Sequence, residues 1–189
     1  MKLALQTKSV ELTGVIQASW ANRIHSKELS PIWALLFADM HGLRDLLGHA
    51  CYAYLMSVLG KIERGQDFNE PKLLKPRQAV YIQAGYHSLR ACWELSGRHP
   101  PEFDGDPGCV LHSQCVRAWK QRWSTLLGRL EDRFPVVDVL NRLGLMLQLV
   151  KDDAVLAICL SSSCRTAALQ ALMRKRDRLT HQLHHHFDI

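Results

Sequence analysis

Leu12, Ile16, Trp20 and Ile24 recur every four residues, and that spacing places four large apolar side chains on one face of an α-helix. The same period returns along the whole chain, and no stretch alternates apolar and polar residues as a half-buried strand must. A chain with only helical stripes must bury them helix against helix. The reading is therefore all-α, an irregular bundle of seven to eight helices in two packed halves.

Prolines and glycines mark the breaks. Ser30-Pro31 reads as a capping residue followed by a proline at the first helical position, where the missing N–H has no partner to lose. IWALLFADM continues that helix, and Gly42 fits a left-handed stop. Leu43, Leu46, Leu47, Ala50, Tyr54 and Val58 form the next stripe. A loop carrying Gly65 and Pro71 follows, and Pro76 opens a helix with Ala79, Ile82, Tyr86, Leu89 and Trp93 inward. GRHPPEFDGDPG, residues 97–108, holds three prolines and three glycines and excludes regular structure. Beyond it, Cys115, Trp119, Trp123, Leu127 and Leu130 share a stripe, Asp138 caps a helix from Val139 to Val150, and a short helix runs from Asp153 to Leu160. One of Ser161, Ser162 and Ser163 caps a last helix with Ala168, Leu169, Leu172, Met173, Leu179 and Leu183 inward. The expected division is an N-terminal helical subdomain over 1–97, a Pro/Gly loop over 98–110 and a C-terminal helical subdomain over 111–189, together one compact unit.

GCVLHSQC, residues 108–115, sets Cys109, His112 and Cys115 within seven positions. Thiolate and neutral imidazole are good zinc ligands, and a structural site takes four of them in a tetrahedron. On one straight helix these three positions diverge around the axis. A shared ion therefore requires Cys109 in the loop and Cys115 on the first helical turn. Cys164, beside the serine loop at another helix start, is the first choice for the fourth metal ligand; Cys92, His99 and Cys159 are alternatives. The metal-free readings are a half-buried cysteine pair with an exposed histidine, or a Cys109–Cys115 disulfide.

Other features carry less. The chain is basic, with 24 Lys and Arg against 18 Asp and Glu. The densest run, Arg174-Lys175-Arg176-Asp177-Arg178, is interrupted by an acid and reads as a solvated helix face rather than a nucleic-acid contact. Trp119 and Trp123 share a face with leucines, which points to core packing rather than base stacking; Trp33 and Trp93 read the same way. His181 and His185 are spaced to hold a metal on a helix face. His41 and His49 read as packed or solvated, Cys51 and Cys92 as small buried hydrophobes, and Asp152 and Asp153 as helix caps. The opening MKLALQTKSVELTG has too short an apolar stretch for a signal peptide. The expected setting is intracellular, cytoplasm or nucleus, where cysteines stay reduced.

Several blocks carry a family resemblance. SPIWALLFADMHGLRDLLGHACYAYL, GYHSLRACWEL, PPEFDGDPGCVLHSQCVRAWKQRW, DVLNRL, SSSCRTAAL and the terminal HFDI resemble, in order and spacing, the helical region that follows the BTB/POZ fold in a family of proteins from mushroom-forming fungi. The resemblance runs from about Trp20 to Ile189. The mixed strand-and-helix BTB fold itself has no counterpart in this pattern, so its dimerisation and ubiquitin-ligase roles do not carry over. The resemblance implies a non-enzymatic protein-interaction or scaffold domain; the donor pattern adds Cys109, His112, Cys115 and Cys164 as its candidate structural zinc site. The alternative is a zinc-containing nucleic-acid-binding or transcription-related module.

Overall fold

The computed structural model describes residues 10–63, 73–105, 108–130 and 133–189. Among these residues there are nine α-helices and no strand: α1 (Val10–His25), α2 (Pro31–His41), α3 (Arg44–Glu63), α4 (Pro76–Arg98), α5 (His112–Gly128), α6 (Val139–Asp152), α7 (Ala154–Cys159), α8 (Ser162–His181) and α9 (Leu183–His186). The all-α reading holds. The additional helix is α9, four residues long, which sequence periodicity could not separate from α8. No helix among the described residues is long and apolar enough to cross a membrane. Residues Gly65 and Pro71 and the opening nine residues lie outside the described set.

The chain forms two compact units, residues 1–88 with 181–189, and residues 89–180. The boundaries fall within α4 and at the end of α8, not at the Pro/Gly loop. That loop breaks a helix without breaking the packing of the second unit. Trp119 Nε1 donates to the Pro101 carbonyl at 2.9 Å, and the buried Phe103 ring meets Trp119 edge-on at 6.2 Å.

In the first unit α3 packs against α1, α2 and α9. Its buried residues include Leu46, Leu47, Ala50, Cys51, Tyr54 and Leu55, and burial pushes the Cys51 thiol pKa far up. Gly42 ends α2 in the left-handed region at φ 64°, a conformation glycine adopts without steric penalty. Ser30 makes no side-chain cap, although Pro31 does occupy the first helical turn. At the start of α4, Gln78 Oε1 accepts from the Lys75 backbone N–H at 2.9 Å, one half of a capping box. Gln78 also donates to Asp39 at 2.7 Å, beside the Arg77–Asp39 ion pair at 2.5 Å, and so ties α4 to α2. The inward face of α4 is Gln78, Gly85, Leu89 and Trp93, while Ala79 is exposed.

The chain's last residues complete this unit. Phe187 is fully buried. A Cβ at Gly85 would lie 2.0 Å from the Phe187 ring, and a Cβ at Gly48 would lie 2.5 Å from the His184 backbone nitrogen. Two glycines therefore open the space that α9 and Phe187 fill. Ser88 Oγ and His186 Nδ1 share a hydrogen bond at 2.8 Å, and Arg44 donates to the Ile189 carbonyl.

His49 is not merely packed or solvated. Its Nδ1 shares a hydrogen bond with His25 Nε2 at 3.0 Å. Burial and then the neighbouring His25 pull its pKa down to about 4, with His181 and His184 acting in the same direction and Asp45 against them.

In the second unit the large buried side chains are Trp119, Trp123, Leu126, Leu130, Leu143, Met146 and Leu156. Trp123 Nε1 donates to the Ser96 carbonyl at 3.1 Å, so both core indoles have their polar atom satisfied. Buried Arg142 donates to the Pro135 carbonyl at 2.8 Å and to that of Phe134, with its guanidinium 5.1 Å from the Trp93 ring. Asp138 and Asp153 cap α6 and α7, as their positions imply. Asp153 also holds Arg122 at 2.7 Å. Burial opposes its ionisation, yet Arg122 and the Leu156 N–H outweigh burial and keep the carboxyl below its usual range.

Two consequences are measurable. Gly85→Ala gains about 1 kcal/mol in helix propensity, but its methyl meets a fully buried ring with nowhere to move. Net destabilisation of about 1–3 kcal/mol by urea unfolding is expected. For His49, the unfolded chain binds a proton near pH 6.5 while the folded chain resists it until about pH 4. Folding stability therefore falls as pH drops through that window, by up to about 3 kcal/mol. His49→Gln should flatten the profile between those values.

Candidate metal centre

Three of the sequence-selected donors come together in the second unit. The ligand atoms of Cys109, His112 and Cys164 all lie within 4.8 Å of one another, a group able to hold a metal ion. His112 Nδ1 is 3.4 Å from Cys164 Sγ. Cys115 stands outside that mutually close group, with its sulfur beside two of its members: 3.8 Å from Cys109 Sγ and interacting with Cys164.

Local structure delivers each donor. Cys109 sits on non-helical backbone after Gly108. His112 is the first residue of α5 and Cys115 lies one turn on. This is the arrangement a shared ion demands, because only a loop position can bring the earliest donor back to the helix start. Cys164 lies in the first turn of α8, where its backbone N–H donates to Ser161 Oγ at 3.2 Å. Both Cys115 and Cys164 therefore stand at the amino ends of helices, where the macrodipole favours a thiolate.

Residues outside the donor set position the cluster. Ser161 caps α8 and its hydroxyl donates to Cys109 Sγ at 3.4 Å. That hydrogen bond, followed by those from Cys164 and Cys115, lowers the Cys109 thiol pKa. Burial pushes that of Cys164 up. Phe103 meets the His112 ring edge-on at 5.5 Å. A Cβ at Gly105 would lie 2.8 Å from His112 Cγ, so the Pro/Gly loop supplies the bare backbone against which the imidazole is set. The glycine was legible only as a loop former; its contact with His112 depends on the folded loop.

The alternative donors stand apart from the group. Cys159 is exposed, and Cys92 is half-buried, with burial raising its pKa against a lowering by Lys175. Among the described residues no other cluster of three or more such donors forms. His181 ends α8 while His185 lies on α9, so their four-residue spacing does not run along one helix. In the basic run, Lys175 is half-buried and its pKa is lowered by burial, while Arg174, Arg176 and Arg178 are exposed. Trp119, Trp123 and Trp93 are core residues. Trp33 is not; it is 64% exposed, because the apolar residues of α2 extend beyond the face that Ile32, Ala34, Leu35 and Ala38 bury.

No protein-family model, curated protein or solved structure matches this chain.

Proposed function

We propose that the chain is a non-enzymatic helical protein-interaction domain whose second unit is stapled by a structural zinc on Cys109, His112, Cys115 and Cys164. The observation that carries the zinc reading is the donor spacing. Bond lengths of about 2.3 Å to sulfur and about 2.0 Å to nitrogen set tetrahedral edges of about 3.8 Å between sulfurs and about 3.5 Å between sulfur and nitrogen. The separations of 3.8 Å for Cys109–Cys115 and 3.4 Å for His112–Cys164 agree with those edges. Three thiolates and one imidazole favour zinc over the hard cations, which take oxygen ligands. Three thiolates around one dication leave a net charge of −1, which the amino ends of α5 and α8 favour. Four protein ligands leave no open position for substrate, so the metal contributes folding energy rather than catalysis.

Partner recognition is supported by the second face of α2. Ile32, Ala34, Leu35 and Ala38 are buried, yet Trp33 and Met40 are 64% and 72% exposed. They line a groove of about 750 Å³ with Trp20, Leu29, Phe37 and Lys75. Exposed apolar surface of this kind favours a protein partner. The basic run, with Asp177 inside it and Lys175 partly buried, gives the nucleic-acid reading less support. The placement beside fungal BTB/POZ proteins and an intracellular setting rest on the sequence pattern alone.

Metal analysis of untagged protein by mass spectrometry tests the staple. About one zinc per chain is expected, lost in Cys109→Ser together with a fall in melting temperature. Cobalt substitution should give the visible bands of a tetrahedral thiolate site. Zinc retained by Cys109→Ser would shift the metal to the C-terminal histidines and overturn this assignment. For the groove, a photo-crosslinking residue in place of Met40 should give a discrete protein adduct in cell extract, absent when it replaces Arg178.

A further inference from the structure

We infer that the Cys109–Cys115 pair is a peroxide-sensitive modification site whose oxidation ejects the metal. The inference rests on the zinc reading above and concerns how that same site is regulated.

The four donors are not equivalent. Cys164 Sγ is fully buried and stands against His112 Nδ1. Cys115 Sγ is also shielded, at 3% exposure, and is fixed in the first turn of α5. Cys109 is the half-exposed sulfur of the cluster and the one carried on non-helical backbone. It is thus the sulfur that a small solvent-borne oxidant reaches first, with a second thiol 3.8 Å away to resolve the product. A disulfide needs the sulfurs about 2.05 Å apart. The approach required is less than 2 Å, and the loop backbone of Cys109 can supply it while Cys115 stays in its helix.

The chemistry balances with hydrogen peroxide as oxidant. The Cys109 thiolate attacks one peroxide oxygen; an S–O bond forms, the O–O bond breaks and hydroxide leaves. The Cys115 thiolate then attacks the sulfenic sulfur; the S–S bond forms and the S–O bond breaks, releasing a second hydroxide. Two protons from solvent convert the hydroxides to two waters. The sulfurs lose two electrons and the peroxide gains them. His112 and Cys164 remain as donors, half of what a structural zinc site requires. The ion departs, and the tie between the starts of α5 and α8 goes with it. A reductant and zinc restore the site.

The test uses the full reduced chain loaded with zinc. Hydrogen peroxide is added, zinc release is followed with a chromophoric chelator, and the digest is mapped without reduction. Cys109 and Cys115 share the tryptic peptide 99–117, whereas Cys164 lies in 152–165. The expected result is zinc release in step with a peptide 99–117 lighter by two hydrogens, reversed by reductant and zinc. Cys159→Ser should behave as the parent. Cys115→Ser should form no such peptide. Zinc retained under peroxide, or released while 99–117 is cross-linked to 152–165, would overturn the switch and leave the zinc reading intact. A chain that carries no zinc before peroxide is added would overturn both.

Discussion

Two sulfurs and one imidazole within 4.8 Å of one another, with a third sulfur 3.8 Å from that of Cys109, are an electrostatic constraint on the second unit. As free thiols they offer only weak hydrogen bonds; as thiolates they repel one another. Either state holds the starts of α5 and α8 together poorly by itself. The surroundings act on the sulfurs unequally: the Ser161 hydroxyl lowers the Cys109 thiol pKa, whereas burial raises that of Cys164 in the first turn of α8. Under the proposed reading, a dication bound by these donors offsets that charge. The tryptophan core, the Arg142 carbonyl bonds and the Asp153–Arg122 pair then organise the remainder of the unit.

The first unit answers a different problem. Its α3 is covered on several sides by helices, and the last cover comes from residues 181–189. Close approach there depends on absent side chains: Gly48 admits the backbone at His184, and Gly85 admits the ring of Phe187. Close-packed interiors tolerate little change at such points. The His25–His49 hydrogen bond in this unit couples its stability to pH, because burial and a neighbouring imidazole both disfavour the charged form.

The two units also differ in what they leave outside. α2 carries apolar residues beyond its buried face, and Trp33 and Met40 among them line an open groove together with Asp39 and Arg77. Under the proposed reading, recognition belongs to that surface and metal chemistry to stability and its control. The exposed cations of α8 then serve as a solvated face.

Much of the fold was legible because helix formation is local. The stripes at three- and four-residue spacing, Pro31, Gly42, Pro76, Asp138 and Asp153 each act through bonds within one or two turns, so their types and order determined where helices start and stop. The loop position of Cys109 and the first-turn position of Cys115 followed from the same local logic. Cys164 was selected by residue type, helix position and the SSSCR block; only the tertiary structure decided that its sulfur stands against His112. The long-range facts were hidden for the same reason: Gly105 beneath His112, Gly85 beneath Phe187, the exposure of Trp33, and the unit boundary within α4. A residue's type fixes what it can bond or bury, whereas its partner is set by chain segments tens of residues away, and one sequence carries no direct record of that pairing.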